Sequence, residues 1–453
     1  MARKATSKFV CTNCGAISAA WAGRCSQCGE WNTLQEELAA PSVIVSGGKL
    51  AATGNQLQAQ AVESVVAQDQ PRISSGMRDV DTVLGGGLVP GSVVLLAGQP
   101  GIGKSTLLLQ LTHSIAANQP VLYVSAEESA QQVGLRASRL GAKQGQLALA
   151  SSTSADDIAA TIMAGQYRLV VVDSIQTVAS ANVGSAPGTV SQITNSTNIL
   201  MQAAKLSGTA LIVVGHVTKE GSIAGPKVLE HVVDVVLQLE GDRYGGFKIL
   251  RAIKNRFGST SEAGIFEMVD AGLQPVENPS AALLAERQAS DGSVVLATLE
   301  GSRPLLVEVQ ALVNRTSYGY PKRTASGIDL NRLNLLVAVL EKRTKLQLAD
   351  QDIYINIVGG IRITEPAADL AVCLAIGSAA RGLQLKDNAV VFGEVGLSGE
   401  VRHVPFADKR IQEASKLGFD VAIGPRQRGK QSMPGLQAVN DVRSALNSYL
   451  QKD

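Results

Sequence analysis

From Pro71 onward the chain alternates short, nearly continuous apolar runs with longer stretches in which apolar residues recur every three or four positions. SVVLLAG, PVLYVSA, YRLVVVD and GTALIVVG are runs of the first kind, and they predict strands buried on both faces. STLLLQLTHSIA, ESAQQVGLRASRL and NILMQAAKL are of the second kind and predict amphipathic helices between those strands. Strands that alternate with helices in this way form parallel β-α-β units, so the class is α/β. HVVDVVLQLEG, FKILRAIKNRFG and AGIFEMVD keep strand character with glycine-containing breaks, which gives this domain, 71–275, a β-rich end near Pro275.

The region 276–453 has a different rhythm. SVVLATLEG, PLLVEVQALV and YINIV read as strands, NRLNLLVAVLEKR and PAADLAVCLAIGSAAR as helices, and VENPSAALLAERQASDG as a connector. Residues 41–70, rich in Ala, Gln, Ser and Gly, read as a linker after an N-terminal module of residues 1–40. No internal repeat is visible by eye. No apolar run approaches the roughly 18 to 20 residues needed to span a bilayer, and the basic N-terminus lacks the apolar stretch of a signal peptide. The expected location is the cytoplasm, with no membrane partner.

Composition changes this picture little. The chain has 453 residues, enough for several domains, with 45% hydrophobic and 18% charged residues, which excludes disorder throughout. The 41 basic and 39 acidic residues leave a net charge of +2, too small to announce nucleic acid as a partner by itself. Any such partner must be sought in local clusters.

The cysteines are informative. Cys11 and Cys14 form one C-x-x-C and Cys25 and Cys28 another, each followed by glycine. A two-residue gap lets the backbone curl so that both sulfurs face one ion, and four thiolates suit a closed, tetrahedral, structural Zn²⁺ site. Two disulfides are the alternative, which a reducing compartment disfavours. Cys373, within LAVCLAI, reads as a small buried hydrophobe.

Gly98-Gln99-Pro100-Gly101-Ile102-Gly103-Lys104-Ser105 matches G-x-x-x-x-G-K-[ST] between a predicted strand and a predicted helix, the context that a phosphate-binding loop requires. The glycines let backbone N–H groups face phosphates, Lys104 reaches the β- and γ-phosphates of ATP, the Ser105 hydroxyl ligates Mg²⁺, and Thr106 continues the site into the helix. LVVVDS places Asp173 at the end of a strand, where a second group for the Mg²⁺ belongs. Glu127, with Glu128 as the alternate, ends the strand VLYVSA and is the candidate that orients and deprotonates water.

The doubled C-x-x-C, GQPGIGKS, VSAEES, GHVTKEGSIAGPKVLEH, the pentapeptide Lys254-Asn-Arg-Phe-Gly258 and FGEVGLSGEVR together resemble the bacterial RadA (Sms) family of DNA repair proteins over nearly the whole chain. The resemblance implies a RecA-like P-loop ATPase core, an N-terminal zinc module and a C-terminal α+β domain similar to that of Lon protease. It implies action on single-stranded DNA and branched recombination intermediates, a ring that is homo-hexameric, and the recombinase RecA as a partner. Lys254 and Arg256, spaced i, i+2 on a predicted strand, point to one side, and their spacing resembles the trans-acting finger pair of hexameric helicases. His216, at the end of ALIVVG, is a candidate sensor of the γ-phosphate. Lys219 and Lys227, in the polar loop Val217 to Lys227, are candidate DNA contacts, and Val183 to Gln192 corresponds by position to a second channel loop.

Resemblance to Lon raises ATP-dependent proteolysis as a competing function. At the position of the Lon nucleophile, however, the chain has Ala367 in Pro366-Ala367-Ala368-Asp369, and the register puts Asp408 where Lon has its lysine, with Lys409 next to it. The region from Arg303 to Lys345 carries eight basic residues against three acidic ones, and Arg402 to Lys430 seven against three, which supports a DNA-binding platform. The expected function is a DNA-dependent ATPase that moves on single-stranded DNA and promotes branch migration or heteroduplex extension. A regulatory ATPase that acts through protein partners without translocating is the alternative.

Overall fold

The structure is a computed structural model that describes residues 7–11, 17–18, 20–26, 29–31, 33–38, 71–142, 145–217, 223–224, 228–241, 247–317, 319–385, 388–427 and 433–451. The expected linker 41–70 lies outside the described residues. The chain forms two units, 1–70 and 71–453. In the first, β1 (Ser7–Cys11) pairs antiparallel with both β2 (Ile17–Ser18) and β3 (Leu34–Leu38), and Cys25 and Leu34 are buried against Phe9.

The second unit opens with α1 (Arg78–Leu84), followed by β4 (Val93–Gly98), α2 (Lys104–Ile115), β5 (Val121–Ser125), α3 (Ala130–Arg139), β6 (Leu147–Ser151), α4 (Ala155–Met163), β7 (Leu169–Asp173), α5 (Val190–Ser207), β8 (Ala210–Val217) and β9 (Ile223–Ala224). Next come α6 (Val228–Val232), β10 (Val235–Gly241), β11 (Phe247–Asn255), β12 (Ala263–Val269) and β13 (Gly272–Pro275). These strands make a ten-stranded sheet in the order β13-β12-β11-β10-β4-β8-β7-β5-β6, with β9 added on β8. The strands from β10 to β6 in this order run parallel, and β11, β12 and β13 extend the sheet antiparallel.

Every residue of β4 is buried. Val94 and Leu96 face the core beneath α1 and α2, while Val93 and Leu95 face the opposite core beneath α4 and α5, so the period-two alternation of a strand feeds two cores at once. Helix starts are fixed locally: Ser129 and Gln132 form a reciprocal capping box on α3, and the Thr189 side chain accepts from Gln192 N at the start of α5.

The remainder comprises α7 (Pro279–Leu284), β14 (Ser293–Glu300), β15 (Arg303–Arg315), β16 (Arg323–Ser326), α8 (Leu330–Thr344), β17 (Gln351–Ile357), α9 (Asp369–Arg381), β18 (Gln384–Leu385), β19 (Ala389–Val391), β20 (Glu394–Val395), β21 (Val401–Arg402), α10 (Ala407–Lys416), β22 (Val421–Pro425), β23 (Leu436–Val439), α11 (Val442–Tyr449) and β24 (Leu450–Gln451). A seven-stranded mixed sheet in the order β16-β17-β15-β14-β19-β22-β23 carries α9, which is buried from Asp369 to Ser378 with Cys373 fully enclosed. Burial pushes the Cys373 thiol far above its ordinary value and keeps it protonated.

Two local expectations differ from the structure. The stretch read as a connector contains α7, because the Asn278 side chain caps Ala281 N, Pro279 pre-sets the first helical φ, and Ser280 and Leu283 bury against the second sheet. Within HVVDVVLQLEG, the first residues end α6 and the strand begins only at Val235. The two sheets of this unit meet at charged contacts: Arg251 of β11, which lies 3.3 Å from Glu240 of its own sheet, reaches Glu300 of β14 at 2.6 Å, Arg303 of β15 lies 3.4 Å from Asp79 of α1, and Ser302 Oγ donates to Glu262 at 2.9 Å.

Candidate nucleotide-binding and catalytic site

The phosphate-binding loop leaves β4 at Gly98 and enters α2 at Lys104. A Cβ on Gly98 would stand 2.7 Å from the Leu239 carbonyl oxygen of β10, so only glycine lets the two strands stay paired there. Gly103, with φ 115°, turns the chain into the helix, and the buried Ile102 anchors the loop from beneath. Pro100, Gly101 and Thr106 line the cavity above the loop, whereas Gln99 lines a separate pocket with Gln238 and Arg251 and offers the loop only its carbonyl.

The Lys104 ammonium donates to Gly98 O at 2.9 Å and Gln99 O at 3.0 Å, and lies 3.2 Å from His216 Nδ1. Burial lowers its pKa, opposed by the charges of Asp173 and Glu127. Ser105 Oγ donates to Asp173 Oδ2 at 2.7 Å, and the Tyr123 hydroxyl donates to the same oxygen at 2.5 Å. Glu127 accepts from Ser174 Oγ and lies 3.6 Å from His216 Nε2. Lys104, Ser105, Glu127, Asp173 and His216 line a cavity of about 370 Å³ together with Pro100, Gly101, Gly103, Thr106, Ser125, Glu128 and Arg136, while Tyr123 and Ser174 act on it from behind.

The neighbouring glutamates are separated by their partners. Glu128 pairs with Arg136 at 2.6 Å and its N–H donates to Ser125 Oγ, whereas Glu127 faces Lys104, Asp173 and His216. Tyr123, Ser174 and Arg136 were not singled out from the sequence. Tyr123 reads as one more core residue in VLYVS, and only the pairing of β5 with β7 brings its hydroxyl to Asp173. Ser174 was legible as the residue after Asp173, and Arg136 gave no signal beyond a helical basic position.

Cofactors fit this arrangement unequally. The glycine cradle, which a Cβ would fill, and the buried lysine suit the phosphates of ATP, and the Ser105 hydroxyl and Asp173 carboxylate converge on one point suited to a Mg²⁺. In the N-terminal unit Cys25 is buried, and its carbonyl accepts from the N–H of Gly29, which has φ 76°, in the tight turn that a C-x-x-C-G knuckle needs. Cys14 and Cys28 lie outside the described residues, as does the side chain of Cys11.

Lys254 and Arg256 are not part of this cavity. β11 runs antiparallel to β10, and Lys254 stands opposite Val236, which pairs with Leu95, whereas the loop leaves β4 opposite Leu239. Lys254 is therefore displaced from its own phosphate loop by about three strand residues, roughly 10 Å. Arg256 lies one residue beyond the end of β11, so the expected strand carries only the first of the pair. Lys219 and Lys227 lie outside the described residues. Gln192, at the end of the candidate second channel segment, is buried and holds it through bonds to Ser180, Val183 and Ser185.

Beside the seven-stranded sheet, the buried Ala367 offers no nucleophile. Beside it, Arg410 is wholly buried and takes both carboxylate oxygens of Glu365 at 2.9 and 2.7 Å, with Ala297 O at 2.6 Å. Lys409 turns elsewhere, toward Ser302 O at 3.5 Å and the Phe406 ring at 5.1 Å. Asp408 belongs to the first turn of α10.

A family model described as an AAA domain matches residues 59–222, which include the phosphate loop, Glu127, Asp173 and His216, and one described as a rubredoxin metal binding domain matches residues 9–36. The chain is 48% identical over 99% of its length to the whole of the DNA repair protein RadA of Pseudomonas aeruginosa. The chain belongs to the RadA family of DNA repair proteins. RadA of Halalkalibacterium halodurans is likewise 48% identical, with 99% of this chain and 100% of that one covered, and RadA of Escherichia coli 45%, with 99% of each covered. The crystal structure of the RadB recombinase aligns with a TM-score of 0.36 and 22% identity over 45% of this chain and all of that one, an overlap that carries no argument here. RadA membership, the strand order and the two family models together give a RecA-like ATP-hydrolysing domain with an N-terminal metal-binding ribbon and mixed α/β sheets. Among the described residues no helix is long and apolar enough to cross a membrane.

Proposed function

We propose that this protein is a DNA-stimulated ATPase of recombinational repair, which assembles as a homo-hexameric ring and moves on single-stranded DNA to extend heteroduplex or migrate branches, in concert with RecA in the cytoplasm. Membership of the RadA family supports the repair role. The observation that carries the motor reading is the gathering of Lys104, Asp173, Glu127 and His216 at one end of the sheet, with Lys254 and Arg256 held near the other end of β4. Cations so placed would serve a nucleotide held in the cavity of a second copy, as in a head-to-tail contact that closes into a ring.

Bound ATP with Mg²⁺ supplies the transferable phosphoryl group and the charge of the metal. Lys104 would shift from the loop carbonyls to the phosphates, and Ser105 and Asp173 would hold the Mg²⁺ between them. Glu127, fixed by Ser174, takes the proton of the attacking water. His216 touches both Lys104 and Glu127 and begins the segment that leads to Lys219 and Lys227, so a change at the γ-phosphate position is felt at the start of that segment. Cys11, Cys14, Cys25 and Cys28 would hold a Zn²⁺ that stabilises the N-terminal module.

The test is the rate of ATP hydrolysis with and without single-stranded DNA, followed over salt. Stimulation that falls steeply with salt is expected, because phosphate contacts release counterions. Lys104→Ala should abolish turnover, and DNA-stimulated hydrolysis that survives in that variant would refute the site. Turnover indifferent to DNA would favour a regulatory ATPase acting through protein partners.

A further inference from the structure

Tyr123 differs from its neighbours in β5 because it carries a polar atom into an apolar layer. It is 1% exposed and packs with Val121, Val171 and the leucines of α2 in the core beneath that helix. A phenylalanine would fill the same space with no hydroxyl to satisfy. In the register of β5 on β7, Tyr123 faces Val171 and Ser125 faces Asp173, so Tyr123 stands two residues, roughly 7 Å, short of the carboxylate on the same face of the sheet. A phenol spans that distance, and its hydroxyl donates to Asp173 Oδ2 at 2.5 Å.

The carboxylate is held at one oxygen from two elements. Ser105 Oγ, in the first turn of α2, donates to Oδ2 at 2.7 Å, and Tyr123 donates to the same atom from β5. The last torsion of an aspartate is broad, so a carboxylate with one donor can turn about it, whereas donors on two elements fix its plane. Among the described residues Oδ1 accepts no hydrogen bond, and Asp173 lines the nucleotide cavity while Tyr123 does not. Ser105 is itself a candidate ligand of the Mg²⁺, so its hydroxyl must adjust as a metal comes and goes. The Tyr123 hydroxyl, behind the cavity, is the donor that can stay in place throughout.

We infer that Tyr123 is a positioning residue for the metal site: its hydroxyl holds Asp173 in the rotation that leaves Oδ1 open to a divalent cation, and it touches neither nucleotide nor metal itself. The inference rests on the ATPase reading above and adds to it a residue that the sequence presents only as core. Hydrogen-bonding partners behind a metal ligand set metal affinity by about 10- to 100-fold, because they orient the ligand before the ion arrives. A tyrosine that served packing alone would change stability and leave the metal's grip untouched.

The test compares full-length wild type with Tyr123→Phe, which refills the core and removes only the hydroxyl. The affinity of a fluorescent, non-hydrolysable ATP analogue is measured in EDTA and again at a fixed concentration of Mn²⁺. By linkage, the metal tightens nucleotide binding by the factor by which nucleotide tightens metal binding. Tyr123→Phe should match wild type in EDTA, while the tightening by Mn²⁺ falls by roughly 10-fold or more, up to its complete loss. In steady-state hydrolysis the Mg²⁺ concentration for half-maximal rate should rise by a similar factor, with kcat regained near wild type at saturating Mg²⁺. Equal tightening by Mn²⁺ in the two proteins, or an affinity already lost in EDTA, would leave Tyr123 a packing role only and overturn the inference. Unfolding temperature shows that the variant is folded; should it not be, Tyr123→Met, which also lacks the hydroxyl, takes its place. A wild-type chain that binds no nucleotide, or binds it without regard to metal, would sink the ATPase reading, whereas a metal effect that the variant shares in full would sink only the role of Tyr123.

Discussion

Tyr123 is buried like any core residue of β5, yet its hydroxyl is bonded to the carboxylate that faces the phosphate loop. Burial, reinforced by the charge of Asp173, pushes the phenol well above its ordinary pKa, so it stays a donor to the carboxylate oxygen that Ser105 also bonds. The same neighbourhood separates Glu127 from Glu128. Glu127→Gln should lower kcat by about 10² to 10⁴-fold while leaving nucleotide affinity near wild type, since a general base acts in the chemical step. Glu128→Gln, which only loosens Arg136, should retain most of the activity; steady-state kinetics on the two variants checks this. The sequence favours Glu127 with Glu128 as the alternate, but both simply follow the same strand, which ends at Ser125. What separates them is the company of β7 and β8, which bring Ser174 and His216 to one glutamate and not the other. The phosphate loop, in contrast, was legible in full, because its chemistry lies in eight consecutive residues.

At the scale of elements, the alternation of apolar runs and amphipathic stretches revealed the parallel core because each β-α-β unit is coded by neighbours in sequence. The short α7 was not legible: six residues are too few to show a helical period, and its apolar contacts are with strands that come later in the chain. Ser280 shows what holds it. Its hydroxyl donates to Glu413 at 2.8 Å and accepts from Leu306 N at 3.1 Å, in a fully buried position. Ser280→Ala leaves both partners unsatisfied and should cost about 1 to 3 kcal/mol of stability, measured by denaturant unfolding. Wild-type stability in that variant would show that α7 is held by Leu283 alone.

Across the whole molecule, the second unit joins its two sheets through ions as well as apolar side chains. Glu300 is largely buried, and desolvation raises its pKa against the opposing pull of Arg251. Removing the guanidinium by Arg251→Ala would leave that carboxylate without its counter-charge, at an expected cost of about 3 to 5 kcal/mol near neutral pH. The sign of the pH dependence follows. A carboxyl whose folded pKa lies above its unfolded value takes up a proton on folding, so the penalty is fully present above the folded pKa and relieved as pH falls through it. The variant should therefore recover stability relative to wild type on going from about pH 8 to pH 5, read from unfolding temperatures. None of this was visible in the near-balance of 41 basic and 39 acidic residues, because pairing between distant segments leaves no mark on a count.

The Glu365–Arg410 pair near Ala367 bears on what chemistry could be built here as well as on packing. A serine placed at 367 would find Lys409 turned toward Ser302 and the Arg410 guanidinium already held by a carboxylate. To make room for a base, one member of this ion pair would have to be replaced before the other, and removing Glu365 alone would leave the wholly buried Arg410 without its counter-charge. A hydrolytic dyad therefore cannot be installed at this spot one substitution at a time without a loss of stability.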